Sequence, residues 1–151
     1  MNLEQQVLKD LRRHEGCRLS PYLDTENIWT IGYGRIKGIH KDYAPITQEQ
    51  ADAWLYEDYL IALRLAKKIV KSYAKLSPER KSVVINMAFN LGNRLAGFEK
   101  TLAAIEQEQW ATAALEMLNS KWSRQVGQRA KELANRMSSG VIQPHHRFKG
   151  D

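Results

Sequence analysis

Leu3, Val7, Leu8 and Leu11 recur at helical spacing and predict an opening amphipathic helix that Gly16 can stop. The pattern then changes. Between Arg18 and Ile39, glycines interrupt the strand formers Trp29, Thr30, Ile31 and Tyr33, which reads as short hairpin strands. Thr47, with Gln50 three residues on, is a capping-box signature. The helix it opens carries Ala51, Trp54, Leu55, Ala62, Leu65, Ala66 and Ile69 on one face and is expected to run to about Tyr73. Ser77 and Pro78 supply an N-cap and a first-turn proline for the next helix. Its stripe is Val83, Val84, Met87, Ala88 and Leu91, yet Phe89 points nearly opposite. A helix apolar on two sides belongs near the centre of a domain. Further helices are expected at 98–106, 108–119 and 126–139.

With 151 residues the chain suits one domain that needs no disulfide or structural metal. No apolar run approaches the roughly 20 residues of a membrane span. The start MNLEQQVLKDLRRHEG is acidic in part and lacks the apolar core of a signal peptide, so the expected location is the cytoplasm. The single Cys17 excludes an internal disulfide and is expected to pack as a small buried hydrophobe rather than act as a nucleophile with His14. The adjacent His145 and His146 make a poor metal site and read as a solvated tail. No metal or cofactor is expected. Trp54, Trp110 and Trp122 read as core, and Trp29 as either hairpin core or cleft wall.

The net charge of +6 is concentrated near the C-terminus. The last 31 residues hold Lys121, Arg124, Arg129, Lys131, Arg136, Arg147 and Lys149 against Glu132 and Asp151. A surface patch there would meet an anionic partner: nucleic acid, a membrane surface or a cell-wall polymer. Charge alone does not choose among them.

Residues 15–34 hold the candidate chemistry. Glu15 ends a helix, Asp24 lies in a turn and Thr30 starts a strand, so a hairpin folding back on the helix end would gather all three. Two carboxyl groups across a cleft are what glycosidic cleavage requires. On spacing alone, the plainer reading is favoured: Glu15 caps a helix and Asp24-Thr25 makes a turn.

The string E-x8-D-x5-T, set within EG-x-R-L-x-x-Y-x-D-T and followed by TIGYG, resembles the phage-type lysozymes of the T-even class. INMAFNLGNRLAGF at 85–98 is similar to that family's central helix, and KWSRQVGQRAKE at 121–132 to its C-terminal Trp/Arg segment. The resemblance implies an α+β, lysozyme-like fold. Its parts would be a small lobe of short strands at about 12–46, a connecting helix at about 47–73, and a helical lobe at about 74–151 joined by the N-terminal helix 2–14. It implies an endolysin that hydrolyses the β-1,4 bond between N-acetylmuramic acid and N-acetylglucosamine in peptidoglycan and lyses the bacterial host. Glu15 corresponds to the general acid, Asp24 to the carboxylate across the cleft and Thr30 to the hydroxyl that helps hold water, with inversion at the anomeric carbon. Arg129 corresponds to the arginine beside the acid. Ile36, Phe89, Thr101 and Glu116 match positions that contact the sugar chain, and Asn90, beside Phe89, replaces a longer amide. A monomer waiting in the cytoplasm for a membrane lesion, with no nucleic-acid partner and electrostatic contact to anionic envelope polymers, completes the expectation.

The stretch between the glycines and Thr47 is short for this family, so fewer strands or shorter turns are expected. Arg35 stands where the family has a histidine whose partner matches Asp58. At 100° per residue Asp58 falls within the apolar stripe of the 47–73 helix, so a buried Arg35–Asp58 pair is expected. Two rivals leave the Glu15/Asp24/Thr30 pattern unexplained: a basic nucleic-acid-binding module, and a membrane-active helical protein. An anhydro-forming transglycosylase also remains open.

Overall fold

The computed structural model describes residues 1–144. The first helix, α1 (Leu3–Glu15), is opened by a full capping box between Asn2 and Gln5 and closed at Gly16, whose φ of 65° a side chain would strain. A hairpin follows, β1 (Arg18–Leu23) antiparallel to β2 (Trp29–Gly32), with Tyr22 opposite Thr30 and Leu23 opposite Trp29. The register shifts between Arg18 and Tyr22, the stretch that contains Pro21, which has no N–H to give a ladder. Among the described residues the sheet has two strands, extended by a bridge from Ile31 to Arg35. Ile46 N–H donates to Leu19 O at 2.8 Å and brings the chain back along β1.

The long helix α2 (Gln48–Ile69) starts at the Thr47 cap, but it stops short of Tyr73. Val70 turns extended, and Tyr73 falls in a 3₁₀ turn (Tyr73–Lys75) with its ring buried. The central helix α3 (Pro78–Leu91) is buried without a break from Ser82 to Ala88, as apolar residues on two sides required. A 3₁₀ segment (Gly92–Gly97) leads to α4 (Glu99–Glu106) and α5 (Trp110–Leu118). A short helix α6 (Lys121–Val126), capped by Ser120, precedes α7 (Gln128–Ser139) and has no counterpart in the expected elements. One core joins α1, α2, α3, α5 and α7 through Val7, Leu11, Leu55, Ile85, Met87, Met117 and Leu133. Mixed strands and helices in this arrangement are the α+β, lysozyme-like class expected.

Several expectations need correction. Arg136 is not part of a solvent patch: it is 3% exposed and donates to Asp10 Oδ2 at 2.7 Å and to Ser82 Oγ at 2.9 Å. Asp10 sits between Val7 and Leu11 on the buried face of α1, and this partner makes it tolerable there. Glu132 ties the same cluster together, reached by Arg13 at 2.6 Å and Arg136 at 3.3 Å. Of the basic residues near the C-terminus, Lys121, Arg124 and Lys131 are exposed, while Arg147 and Lys149, like His145 and His146, lie outside the described residues. Cys17 is half-buried rather than core, its thiol 3.9 Å from Gln48 Oε1. Trp122 is buried, but Trp54 and Trp110 are half-buried plates under the guanidiniums of Arg35 (4.5 Å) and Arg80 (4.1 Å).

The Arg35–Asp58 pair forms, with 3.0 Å between Nη2 and Oδ1, and Arg35 also reaches Glu57 at 3.3 Å. It is not buried, since the two side chains are 25% and 35% exposed. Tyr59, one residue on, takes the interior position. Asp58 instead faces a cavity of about 210 Å³ with Tyr33, Gly34, Ile61 and Phe89. Its partial burial outweighs the Arg35 charge and pushes the carboxyl above its ordinary value.

Candidate active site

The end of α1, the hairpin turn and the end of α3 meet around a cavity of about 420 Å³. Glu15, Asp24, Thr30, Ile36, Phe89 and Asn90 line it, together with Tyr22, Glu26, Ile28, Tyr33 and Gly34. Six residues singled out in the sequence therefore share one hollow. Each is delivered by a local rule. Glu15 is the last residue before the Gly16 stop and continues the packed Val7–Leu11 row of α1, so its side chain comes off that face where the helix ends. Asp24 closes the β1–β2 turn, its Oδ1 accepting from the N–H groups of Glu26 and Ile28, both at 2.8 Å. The turn role and a place at the cavity thus coexist in one carboxylate. Thr30 is 3% exposed, and its hydroxyl donates to Ile28 O at 2.8 Å.

Glu15 is held on its inner side. Arg129 Nη1 donates to Glu15 Oε1 at 3.0 Å, and Arg129 Nε donates to Asn86 Oδ1 at 3.0 Å. The Glu15 and Arg129 side chains are only 17% and 9% exposed, so the pair is shielded from solvent. The other oxygen, Oε2, faces Gly34: a Cβ built there would stand 3.7 Å from it, on a backbone with φ of 99°. Glycine suits that position by its conformation, since the Cβ itself would make only an ordinary contact with the carboxyl. Tyr33 O–H donates to Asp52 at 2.9 Å, and burial together with this bond raises the phenol above its ordinary range.

Thr101 and Glu116 fall elsewhere. They line a separate cavity of about 440 Å³ with Arg94, Phe98, Lys121 and Trp122, between the 3₁₀ segment and α4–α6. Thr101 itself is buried, with 3% exposure. The two hollows adjoin along the end of α3: Asn90 and Leu91 line one each, and Trp122 Nε1–H donates to Asn90 Oδ1. Arg129 lines neither and touches the site only through Glu15. Asn86 and His14 were missed as members of the site. Asn86 stood out only as part of the 85–98 string, and nothing local signals a contact between residues 72 apart.

A family model described as phage lysozyme matches residues 12–139, most of the chain. The chain belongs to the phage lysozyme family. It is a peptidoglycan-lytic glycoside hydrolase of the lysozyme type. Among similar proteins, "Probable T4-type lysozyme 1" of Dictyostelium discoideum is 28% identical, covering 89% of this chain and 95% of that protein. An "Endolysin" from Acyrthosiphon pisum secondary endosymbiont phage 1 is 28% identical over 82% of each chain. "Pre-baseplate central spike protein Gp5" of Enterobacteria phage T4 is 26% identical over 95% of this chain, which corresponds to 29% of that protein. The enzyme is thus similar both to free-standing lysozymes and to part of a larger phage protein. No helix among its described residues is long and apolar enough to cross a membrane.

Proposed function

We propose that the enzyme is an endolysin that cleaves the β-1,4 bond between N-acetylmuramic acid and N-acetylglucosamine, with Glu15 as general acid and water as nucleophile. The observation that carries this reading is the single cavity shared by Glu15, Asp24 and Thr30. With Oε1 held by Arg129, Glu15 keeps Oε2 toward the hollow, where its proton passes to the departing glycosidic oxygen as the C1–O bond breaks. Thr30 has given its hydrogen to Ile28 O, so its oxygen can only accept. A water donating one hydrogen to Thr30 Oγ1 and one to Asp24 directs a lone pair at the anomeric carbon. Asp24 takes the proton as the new C–O bond forms, and the anomeric configuration inverts.

Ile36, Phe89 and Asn90 would seat the sugar chain in the same cavity, with Thr101 and Glu116 in the adjoining one contacting its continuation. Host lysis follows from wall cleavage once another protein has opened the membrane, and the enzyme acts as a monomer. Mass spectrometry of products from purified wall tests the reaction: a reducing-end muramic acid supports hydrolysis, and an anhydro sugar refutes it. Glu15→Gln keeps shape without the proton and should lose roughly 10²–10⁴-fold in rate, and a loss below about tenfold removes Glu15 from the acid role.

A further inference from the structure

Glu15 is tied to the interior by a chain of side-chain hydrogen bonds whose polarity is fixed at both ends. Arg129 spends Nη1 on Glu15 and Nε on Asn86, and its Nη2 is buried with no partner among the described residues. The bond to Asn86 is therefore what fixes the plane of the guanidinium. A guanidinium has only donors, so Asn86 turns its oxygen to Arg129 and its NH₂ to His14 Nδ1, 3.2 Å away. Facing an NH₂ group, Nδ1 must accept and so carries no hydrogen. The ring proton then sits on Nε2, 3.2 Å from Glu132 Oε1. Glu132 is an acceptor only. Burial disfavours its charge, but hydrogen bonds from His14 and Arg13 outweigh this and hold it well below its ordinary value. The His14 side chain is 6% exposed, which leaves little room for water to repair a mismatched link.

We propose that His14 is a positioning residue for the glycosidase reaction: its neutral Nε2–H tautomer accepts from Asn86 and so orients Arg129 and the Glu15 carboxyl. The proposal rests on reading Glu15 as the acid. A hydrogen on Nδ1 would face Asn86 donor to donor. Turning the Asn86 amide to relieve that clash would set its NH₂ against Arg129 Nε–H, again donor to donor. In the first case Asn86 loses its anchor on His14, and in the second Arg129 loses Asn86 and the guanidinium keeps only Glu15. A displacement of about 1 Å in a reacting group costs on the order of 10²-fold in rate.

Two substitutions separate the two ends of the ring. His14→Asn places a carbonyl oxygen close to the former Nδ1 and gives up Glu132. His14→Gln reaches Glu132 with its amide and gives up the acceptor toward Asn86. On a soluble peptidoglycan oligosaccharide, His14→Gln should lower kcat at least about tenfold with KM nearly unchanged, while His14→Asn stays within about threefold of the native kcat. A merely structural anchor on Glu132 gives the reverse order. That order, or equal kcat in the two variants, overturns the proposal.

The unmodified protein supplies a reading independent of variant folding. In ¹⁵N NMR at pH 7, His14 should show an unprotonated Nδ1 and a protonated Nε2, and a protonated Nδ1 overturns the proposal. Glu15→Gln is assayed alongside. If it keeps activity the acid assignment fails, whereas the ¹⁵N result still decides the relay by itself.

Discussion

Asp10→Asn tests how the helical core tolerates charge. The Asp10 and Arg136 side chains are each 3% exposed and 2.7 Å apart, so the substitution leaves a guanidinium buried beside a neutral amide. Losing one partner of a buried pair costs about 3–5 kcal/mol. Glu132 remains 3.3 Å from Arg136 and Ser82 Oγ 2.9 Å from it, which places the cost near the lower end, about 3 kcal/mol. For a chain of this length that lowers Tm by roughly 6–12 °C. Urea denaturation with Tm as a cross-check measures it. Arg136 Nε is buried without a partner among the described residues, so the native cluster already carries a cost. The double variant Asp10→Leu with Arg136→Met should therefore be less destabilised than either single change. Single changes that each cost less than about 1 kcal/mol and simply add would show that the pair is screened by solvent, and the burial argument would fail.

Three other outcomes follow from the charges. Asp58→Asn should change stability by less than about 1 kcal/mol, because the pair is partly exposed and the carboxyl is already raised by burial; a loss above about 3 kcal/mol in denaturation would contradict this. Glu132 is depressed in the fold, so its contribution is complete above its ordinary value of 4.5 and is lost as pH falls below it; Glu132→Gln should flatten this acid limb of a stability–pH profile, and an unchanged slope would refute the assignment. Neutralising the exposed Arg124 and Lys131 should weaken wall binding in a low-salt sedimentation assay while sparing cleavage of a short soluble glycan; equal losses on both would tie them to catalysis.

Local signals carried most of the fold. Gly16, Thr47, Ser77 and Pro78 bound their helices where capping chemistry puts them, and the residues delivering Glu15, Asp24 and Thr30 to one cavity lie within a single stretch of chain. Long-range pairing was legible only through the family resemblance, which supplied Arg35–Asp58 and Arg129–Glu15. Asp10 and Asp58 both interrupt apolar stripes, and periodicity cannot tell that Asp10 meets Arg136 in the core while Asp58 borders a cavity beside Gly34. The same limit hid Arg136, whose place among the C-terminal basic residues suggests a surface role that a partner 126 positions away cancels. Helix α6 was missed because six residues hold too few turns to display a period. Thr101 and Glu116 were grouped with the sugar contacts by resemblance, and only the arrangement of α4–α6 separates their hollow from that of Glu15.

The anomeric configuration of the first-formed product bears most directly on the roles given to Glu15, Asp24 and Thr30. Time-resolved ¹H NMR of a defined β-linked peptidoglycan oligosaccharide reads it before mutarotation scrambles the signal. A water held by Asp24 and Thr30 opposite Glu15 predicts that the α-anomer appears first. Initial release of the β-anomer would mean two successive displacements at the anomeric carbon, and would contradict the account of Asp24 as a base for water.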